Sequence, residues 1–350
     1  MKVGIIGGGQ LARMLALAGY PLGLQFKVYD PTSDACAGQV APLTIGAFDD
    51  GAALCAFAEG LDVVTFDFEN LPAASLRILS ERVRVAPGPA ILEVAQDRLA
   101  EKSCAQSLGI PCGDWWEVNE FADLQRLLLE RPGDYILKTR RFGYDGKGQV
   151  RIGGGRSLDA AAALLQSQSC VLEALVPFER EVSIVATRAH DGQMVFYPLT
   201  QNQHVDGVLR VSQAPAAQIE GVRELAETYV KAIADRFDYV GTLAVEFFQV
   251  GGRLLFNEIA PRVHNSGHWT IEGAVCSQFE NHLRAICGWS LGRGDARFRC
   301  VMENYVGDMP PVDSIFASGD GRVHCYGKKP RPGRKVGHMT TLFSLPVTCP

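Results

Sequence analysis

Apolar runs alternate with amphipathic stretches over the first 95 residues, and this pattern predicts strands separated by helices. Residues 3–6, 26–29 and 63–66 have the length of short buried strands. Residues 10–19 have the apolar spacing of a helix. Because strands that alternate with helices are joined by crossovers, we expect an α/β domain built on a parallel sheet.

A Pro-Gly break at residues 86–89 ends this region, and a helical pattern follows over residues 91–108. Asp97, Arg98 and Lys102 lie within that pattern at helix-compatible spacing. We therefore expect one continuous helix that carries all three charged side chains.

The next apolar strand, residues 135–138, ends in Lys138 and leads into a glycine-rich loop at residues 141–149. Three closely spaced glycines predict a mobile loop whose backbone can close over phosphates. The loop lacks the Gly-Lys-Ser/Thr ending of a P-loop, so that nucleotide-binding fold is excluded.

Two further apolar strands, residues 243–250 and 254–259, flank a Gly-Gly-Arg segment, which is a hairpin signal. If all three residues form the loop, Glu246 lies opposite Glu258 on one face. A two-residue turn would shift the register by one and send Glu258 to the other face. The sequence therefore predicts the longer loop if the two carboxylates share a ligand.

Paired carboxylates on buried strands are costly unless a cation meets them. Mg²⁺ (or Mn²⁺) takes carboxylate oxygens and shares them with nucleotide phosphates. The ordinary alternative is that one glutamate is solvent-exposed. The segment after the second strand includes Arg262, His264 and Asn265, and this polar run favours the metal site.

Composition limits the classes of protein that this chain can belong to. Its 350 residues suffice for two or three domains, and no run approaches the roughly 20 apolar residues of a membrane span. We expect no secretory leader, and the 10 cysteines, without a Cys-x-x-Cys pair, indicate reduced thiols in a cytoplasmic protein.

The net charge of −5 argues against nucleic acid as a partner. Basic side chains nevertheless cluster at residues 138–141 and 328–335. Such local clusters in an acidic protein suit small anionic ligands, although a solvated loop is the alternative for each.

The first glycine turn, residues 7–12, resembles the start of a dinucleotide fold, with Asp30 placed where a ribose would bind. By itself this motif is weak evidence for a nicotinamide site.

Taken together, these residues resemble the ATP-grasp superfamily and, within it, the 5-(carboxyamino)imidazole ribonucleotide synthase family. The motifs that carry the resemblance are Gly-Gly-Gly-Gln-Leu (7–11), Asp-Arg (97–98), Arg-Phe-Gly-Tyr-Asp-Gly-Lys-Gly-Gln (141–149), Phe-Tyr-Pro-Leu-Thr (196–200), Asn-Glu-Ile-Ala-Pro-Arg-Val-His-Asn-Ser-Gly-His-Trp-Thr (257–270) and Arg-Pro-Gly-Arg-Lys-Val-Gly-His (331–338).

The resemblance implies an ATP-grasp fold in three parts: a Rossmann-like domain (1–95), a two-lobed ATP-grasp domain (96–292, with a mobile lid at about 112–172) and a small C-terminal domain (293–350). It implies an ATP-dependent ligase that carboxylates 5-aminoimidazole ribonucleotide with bicarbonate, through carboxyphosphate, in purine synthesis. A cytoplasmic homodimer is the usual state of such enzymes.

The resemblance also implies roles for individual residues. ATP would be bound by Arg98, Lys138, Gly143, Tyr144, Asp145, Gly146, Lys147, Gly148, Gln149, Glu173, Ala174, Leu175, Val176, Glu181, His204, Asn257 and Glu258. The metal would be held by Glu246 and Glu258, and the reaction would involve Arg262, His264, Asn265 and Lys147. The ribonucleotide would contact Gly9, Gln10, Leu11, Glu69, Asp145, Lys328, Arg334 and Lys335.

Asp67 departs from the glutamate usual in such proteins, while Glu69 is kept. Three other functions stay open at this point. One is another ATP-grasp carboxylase or a formate-dependent purine ligase, the second is a nicotinamide dehydrogenase, and the third is a non-catalytic nucleotide-binding regulator.

Overall fold

A five-stranded parallel sheet forms the N-terminal part of the molecule in a computed structural model that describes residues 1–143, 146–217, 221–317 and 319–345. Its strands are β1 (Lys2–Ile6), β2 (Gln25–Asp30), β3 (Leu43–Ile45), β4 (Val63–Phe66) and β5 (Arg84–Val85), in the order β3-β2-β1-β4-β5. The helices between them are α1 (Gln10–Gly19), α2 (Gly51–Ala58) and α3 (Ala73–Ser80). The predicted parallel α/β sheet is confirmed, and α1 has the predicted bounds.

The helical segment after this sheet is two helices, α4 (Pro89–Ala95) and α5 (Arg98–Ser107), so the prediction of one continuous helix is wrong. Asp97 breaks it because its backbone is extended (φ −129°, ψ 107°). The Asp97 carboxylate accepts hydrogen bonds from Leu99 N at 3.1 Å and Ala100 N at 3.5 Å, as an N-cap does.

A four-stranded antiparallel sheet forms the second layer. Its elements are β6 (Trp115–Val118), α6 (Phe121–Glu130), β7 (Tyr135–Thr139), β8 (Gln149–Ile152), α7 (Asp159–Ser167) and β9 (Cys170–Ala174), and the strand order is β6-β9-β7-β8. Leu124, Leu137 and Leu172 lie in its own buried core. This sheet contains the predicted lid. Tyr144 and Asp145 of that lid lie outside the described residues.

A nine-stranded antiparallel sheet is the largest layer. Its strands are β10 (Arg180–Arg188), β11 (Met194–Phe196), β12 (Thr200–Val205), β13 (Val208–Ala214), β14 (Gly241–Val250), β15 (Arg253–Ala260), β16 (Arg299–Val306), β17 (Gly321–Cys325) and β18 (Lys335–Phe343). The order is β15-β14-β10-β12-β13-β16-β18-β17, with β11 paired to β10. The last three strands therefore extend the central sheet through the β13–β16 pair.

Four helices accompany the nine-stranded sheet: α8 (Arg223–Arg236), α9 (Thr270–Gly273), α10 (Gln278–Cys287) and α11 (Val312–Phe316). Helix α10 lies between the two larger sheets. Its Phe279, Leu283 and Ile286 share a buried core with Leu15 of α1 and Val28 of β2. This packing fixes the N-terminal glycine turn relative to the β14–β15 hairpin.

Candidate functional site

The β14–β15 hairpin brings Glu246 opposite Glu258, as predicted, but by a different route. Val250 pairs directly with Arg253, so the turn has two residues and the predicted three-residue loop is wrong. A β-bulge between Glu246 and Phe247 makes Asn257 the extra residue, since Phe247 pairs with Phe256 and Glu246 with Glu258. The bulge absorbs the one-residue shift that the short turn creates.

The two carboxylates have different surroundings. Glu246 is buried, whereas the side chain of Glu258 is 40% exposed and lies 3.4 Å from Arg98 Nη2. Burial, together with the charge of Glu258, raises the pKa of Glu246 above its ordinary value. A cation at this pair would relieve both effects.

These residues fit Mg²⁺ or Mn²⁺. Asn257 Oδ1, next to Glu258, is buried and accepts no hydrogen bond within the described ranges. An amide oxygen beside two carboxylates is a donor set for a hard cation. No group of three or more His, Cys, Asp or Glu side chains placed to hold a metal ion occurs among the described residues.

A buried group of charges lies beside the hairpin, at the inner surface of the four-stranded sheet. Glu173 Oε2 is 2.9 Å from Lys138 Nζ and 3.3 Å from Lys102 Nζ. Although burial opposes ionisation, Lys138, Lys102 and Arg98 lower the pKa of Glu173 to about 2. Three cations thus lie beside Glu173, and one of them, Arg98, is also paired with Glu258, so the cations outnumber these two carboxylates by one. The excess leaves positive charge for an anionic ligand.

Two atoms of this group have no hydrogen-bond partner in the described part of the chain: Arg98 Nη1 and Glu173 Oε1, both buried. A buried donor and a buried acceptor without partners mark a place where a ligand completes the bonding. Lys102 was missed as a site residue, although its position four residues after Arg98 puts both on the same face of α5.

The segment from Glu173 to Val176 links the four-stranded sheet to the nine-stranded sheet. Leu175 N donates to Asp134 O at 2.9 Å. The Leu175 side chain is exposed to solvent. Phe178, just beyond it, stacks on Phe248 with ring centroids 4.8 Å apart. The predicted adenine segment is thus a short crossing between the two sheets.

Glu181 and His204 face each other across strands β10 and β12, and His204 Nδ1 is hydrogen-bonded to Glu181 Oε2. Burial disfavours a charged imidazole, but this bond and the nearby Glu246 raise the pKa of His204 to about 9. Both residues, with Arg180 and Asn202, line a cavity of about 350 Å³. The ion pair of Glu181 and His204 therefore lines the cavity, where it can form hydrogen bonds with polar groups of a ligand.

The described part of the glycine loop touches the turn between β12 and β13. Gly146 and Gly148 have positive φ angles of 76° and 70°. A Cβ on Gly146 would lie 2.5 Å from Asp206 O and 3.1 Å from Gly207 Cα. Gly143 and Lys147 lie in the same loop, which is packed against the β12–β13 turn, and Gln149 begins β8 directly after it.

Arg262 and His264 follow β15 and line the other side of the carboxylate pair. Arg262 Nε donates to Glu69 Oε2. His264 Nε2 lies 3.7 Å from Glu246 Oε1. Burial and the charge of Arg262 hold the pKa of His264 well below its usual range, so this imidazole is neutral. Although burial opposes ionisation, Arg262 lowers the pKa of Glu69.

Asn265 has a different environment from the one expected for a ligand contact. Asn265 Nδ2 donates to Asn304 Oδ1 at 2.9 Å and to His268 Nδ1 at 2.9 Å. Asn304 Nδ2 donates back to Asn265 Oδ1 at 2.8 Å. Because both amide protons have protein partners, Asn265 supports the loop that holds His264.

The N-terminal glycine turn is faced by carboxylates of the chain itself. Gly8 N donates to Asp30 Oδ2 at 2.7 Å, and Ala12 N donates to Asp67 Oδ2 at 3.3 Å. A Cβ on Gly9 would lie 2.6 Å from Asp67 Oδ2. Burial raises the pKa of Asp67 to about 6. Asp30 is not free to bind the ribose of a dinucleotide, because both its carboxylate oxygens accept hydrogen bonds from the chain itself.

The C-terminal basic cluster reaches the same turn. Lys328 Nζ donates to Gln10 Oε1, although the two residues are far apart in the sequence. Arg334 N donates to Arg331 O at 3.0 Å, so the Pro-Gly segment forms a turn. The charge of Lys335 lowers the pKa of both Glu69 and Glu246, less than the groups nearer to these acids do.

Models of three protein families match successive parts of the chain. They are the ribonucleotide synthetase preATP-grasp domain (residues 1–96), the ATP-grasp domain (103–279) and the phosphoribosylaminoimidazole carboxylase C-terminal domain (300–345).

Individual proteins are similar over almost the whole chain. N5-carboxyaminoimidazole ribonucleotide synthase of Pseudomonas aeruginosa is 49% identical over 340 residues, which cover 97% of this chain and 94% of that protein. The crystal structure of the Thermus thermophilus synthetase has a TM-score of 0.91 at 49% identity and covers 97% and 93% of the two chains. The Aspergillus clavatus enzyme in complex with ADP and 5-aminoimidazole ribonucleotide has a TM-score of 0.88 at 28% identity, with 99% and 94% coverage.

Proposed function

This chain belongs to the N5-carboxyaminoimidazole ribonucleotide synthase family of the ATP-grasp superfamily, and we propose that it carboxylates 5-aminoimidazole ribonucleotide in purine biosynthesis. ATP and bicarbonate are the co-substrates, and ADP and phosphate are released. The carboxylate pair at the β14–β15 hairpin, beside an excess of buried cations, is the observation on which the assignment of the site depends.

The nucleotide binds between the four-stranded and nine-stranded sheets. Lys138, Lys102 and Arg98 meet phosphate oxygens, because together they exceed the charge of Glu173. The linker from Glu173 to Val176 borders the base, and Glu181 accepts ribose hydroxyls. The unpartnered Arg98 Nη1 supports this placement, since a phosphate oxygen would complete its bonding.

Glu246 and Glu258, with the Asn257 oxygen beside them, would hold Mg²⁺ or Mn²⁺. When bound, the cation neutralises charge that develops on the transferring phosphoryl group. The chain's own contribution is to keep two acids on one face and to keep water away from Glu246, which is buried.

Bicarbonate binds on the far side of that pair, where Arg262 and His264 converge. Its oxygen attacks the γ-phosphate of ATP to give carboxyphosphate, and ADP leaves. Arg262 supplies a fixed positive charge and His264 a neutral N–H donor. The amine of the ribonucleotide then takes up the carboxyl group, and phosphate is released.

The acceptor ribonucleotide lies between the N-terminal turn and the C-terminal basic cluster. Its phosphate is met by the start of α1 at Gly9–Leu11 and by Lys328, Arg334 and Lys335. Glu69 lies next to the amine. The hydrogen bond from Lys328 to Gln10 supports this placement, because it joins the two ends of the proposed pocket. Lys147 of the lid loop couples this pocket to the nucleotide. Asp145, which the family resemblance assigns the same role, lies outside the described residues.

No helix in the described ranges is long and apolar enough to cross a lipid bilayer. We propose a cytoplasmic homodimer, as is usual for the family.

Phosphate release tests this function directly. We expect release with ATP, Mg²⁺, bicarbonate and 5-aminoimidazole ribonucleotide together, and little release when the acceptor or bicarbonate is omitted. A requirement for formate, or equal turnover with other acceptors, would replace the acceptor assignment by another ATP-grasp ligase. Binding of NADH without binding of ATP would replace the whole proposal.

A further inference from the structure

A continuous chain of hydrogen bonds runs through the nine-stranded sheet to His264. Ser212 Oγ donates to Asn202 Oδ1 at 2.9 Å, and Asn202 Nδ2 donates to Ser183 Oγ at 2.8 Å. Ser183 Oγ donates to Ser266 Oγ at 2.8 Å, and Ser266 Oγ lies 2.9 Å from His264 Nδ1. The serines are 0% exposed and Asn202 is 6% exposed.

One backbone group fixes the direction of this chain. Ser266 N donates to His264 Nδ1 at 3.3 Å, so Nδ1 is an acceptor and carries no proton. The Ser266 hydroxyl therefore donates to Nδ1, and its oxygen must accept from Ser183. The imidazole proton is then on Nε2, which lies 3.7 Å from Glu246 Oε1.

The main chain and the ring of His264 are held by different residues. Gln278 fixes the main chain, because His264 N donates to Gln278 Oε1 at 2.9 Å and Gln278 Nε2 donates to His264 O at 2.6 Å. Neither bond restrains the ring. The side chain that contacts Nδ1 is Ser266, whose hydroxyl in turn accepts a hydrogen bond from Ser183.

We propose that Ser266 and Ser183 are positioning residues that keep the proton of His264 on Nε2 and aim this N–H at the bicarbonate position. The proposal rests on the proposed function for the role of His264. A buried hydroxyl group destabilises the fold unless it is hydrogen-bonded. The chain of hydrogen bonds through these buried serines ends on His264, which lies in the proposed active site. Partners that orient metal-bound histidines typically contribute about 10- to 100-fold to affinity or activity, and we expect an effect of the same order here.

Substitution of each serine by alanine tests the proposal kinetically. In Ser266→Ala and Ser183→Ala, kcat/KM for bicarbonate should fall roughly 10-fold, whereas the KM for ATP should change less than about twofold. Thr187→Val is the matched control. Thr187 lies on the same strand as Ser183 and is 0% exposed. Its hydroxyl bonds Thr242 Oγ1 at 2.7 Å, which leads to the main-chain oxygen of Gln278 and not to the His264 ring. This control should keep the wild-type kcat/KM.

Double variants show whether the serines act through His264. If they do, Ser266→Ala should have no further effect in a His264→Gln background. Independent, multiplicative losses would overturn the proposal. A His264→Gln enzyme with wild-type turnover would instead overturn the proposed role of His264. A damaging His264→Gln with a harmless Ser266→Ala would overturn only the positioning role.

A measurement of the His264 tautomer is independent of activity. We expect ¹⁵N NMR of histidine-labelled protein to place the His264 proton on Nε2 in the wild type and in Thr187→Val. The His264 signal is identified by its loss in His264→Gln. Ser266→Ala retains only the longer bond from the residue-266 N–H to Nδ1, at 3.3 Å, and should therefore yield a detectable share of the Nδ1 tautomer. A wild-type imidazole protonated on Nδ1 would refute the proposal without any kinetic measurement.

Discussion

A single residue, Asn257, determines that Glu246 and Glu258 lie on the same face of the hairpin. Side chains alternate between faces along a strand, so a two-residue Gly251-Gly252 turn alone would put Glu258 on the face opposite Glu246. One extra residue in the bulge reverses that alternation. The pair therefore depends on a local irregularity in β15.

Glu258→Gln should reduce phosphate release at least roughly 100-fold, because loss of one preorganised charge costs about that much at other active sites. The fold should persist, since the Glu258 side chain is 40% exposed. Glu117→Gln is the control. The Glu117 side chain is 39% exposed and also bonds an arginine, Arg140, at 3.1 Å. Normal turnover in Glu258→Gln would remove this residue from the mechanism.

Lys102→Met should weaken ADP binding roughly 10-fold, because one of the ammonium groups beside Glu173 is lost from a buried site. Calorimetric titration with ADP and Mg²⁺ measures the change. Lys231→Met, a change at an exposed lysine paired with Asp235, should leave the affinity unaltered. Equal affinities for all three proteins would show that Lys102 is only structural.

At the scale of elements, the lid loop and the β12–β13 turn are built to approach each other closely. Gly207 in the turn has φ +74°, and its Cα is near Gly146 of the loop. Glycine meets two needs here, since a side chain would be strained at this φ and would also separate the two backbones. The turn thus limits how near the loop can come to His204 and the nucleotide.

Gly207→Ala should raise the KM for ATP several-fold, because the added methyl group keeps the loop from its contact with the turn. Gly192→Ala is the control, since Gly192 also has a positive φ (+87°), but an added Cβ would meet only Arg188 Nη2, at 3.7 Å. Both variants should lose about 1 kcal/mol of unfolding free energy from backbone strain. An unchanged KM in Gly207→Ala would exclude a role for this contact in closure.

For the molecule as a whole, α10 joins the N-terminal sheet to the nine-stranded sheet. His282, 0% exposed, is bonded to Thr65 of β4 through Nε2 at 2.8 Å. Its Nδ1 accepts from Thr242 N of β14 at 3.0 Å. Burial lowers the pKa of His282 from 6.5 to about 3. A neutral histidine is therefore part of the contact between the two sheets.

Acidification should destabilise the protein through this residue. Between pH 6.5 and about 3 the unfolded chain binds a proton that folded His282 does not, so the free energy of unfolding falls by up to about 1.4 kcal/mol per pH unit as the pH is lowered. Urea denaturation at pH 7, 6 and 5 should show a smaller dependence in His282→Asn than in the wild type. If the free energy of unfolding depends on pH equally in the two proteins, His282 is protonated in the folded protein over this pH range.

Local patterns along the sequence were sufficient for much of the fold and for recognition of the family. The apolar run of β4 and the spacing of α1 predicted those elements with their observed bounds. The resemblance to the family is confirmed. These features follow from side-chain periodicity and from motifs, which are both local. Glu246 opposite Glu258 was predicted only with a three-residue loop, whereas the bulge at Asn257 produces the pairing.

Tertiary structure decided the features that join distant parts of the chain. Asp97 ends a helix because its carboxylate caps the next one and also accepts from Arg140 Nε at 2.7 Å. Ser183 and Ser266 meet although 83 positions separate them, and Lys328 meets Gln10 across the molecule. Local periodicity carries no information about such partners, because their contact depends on how sheets and helices pack.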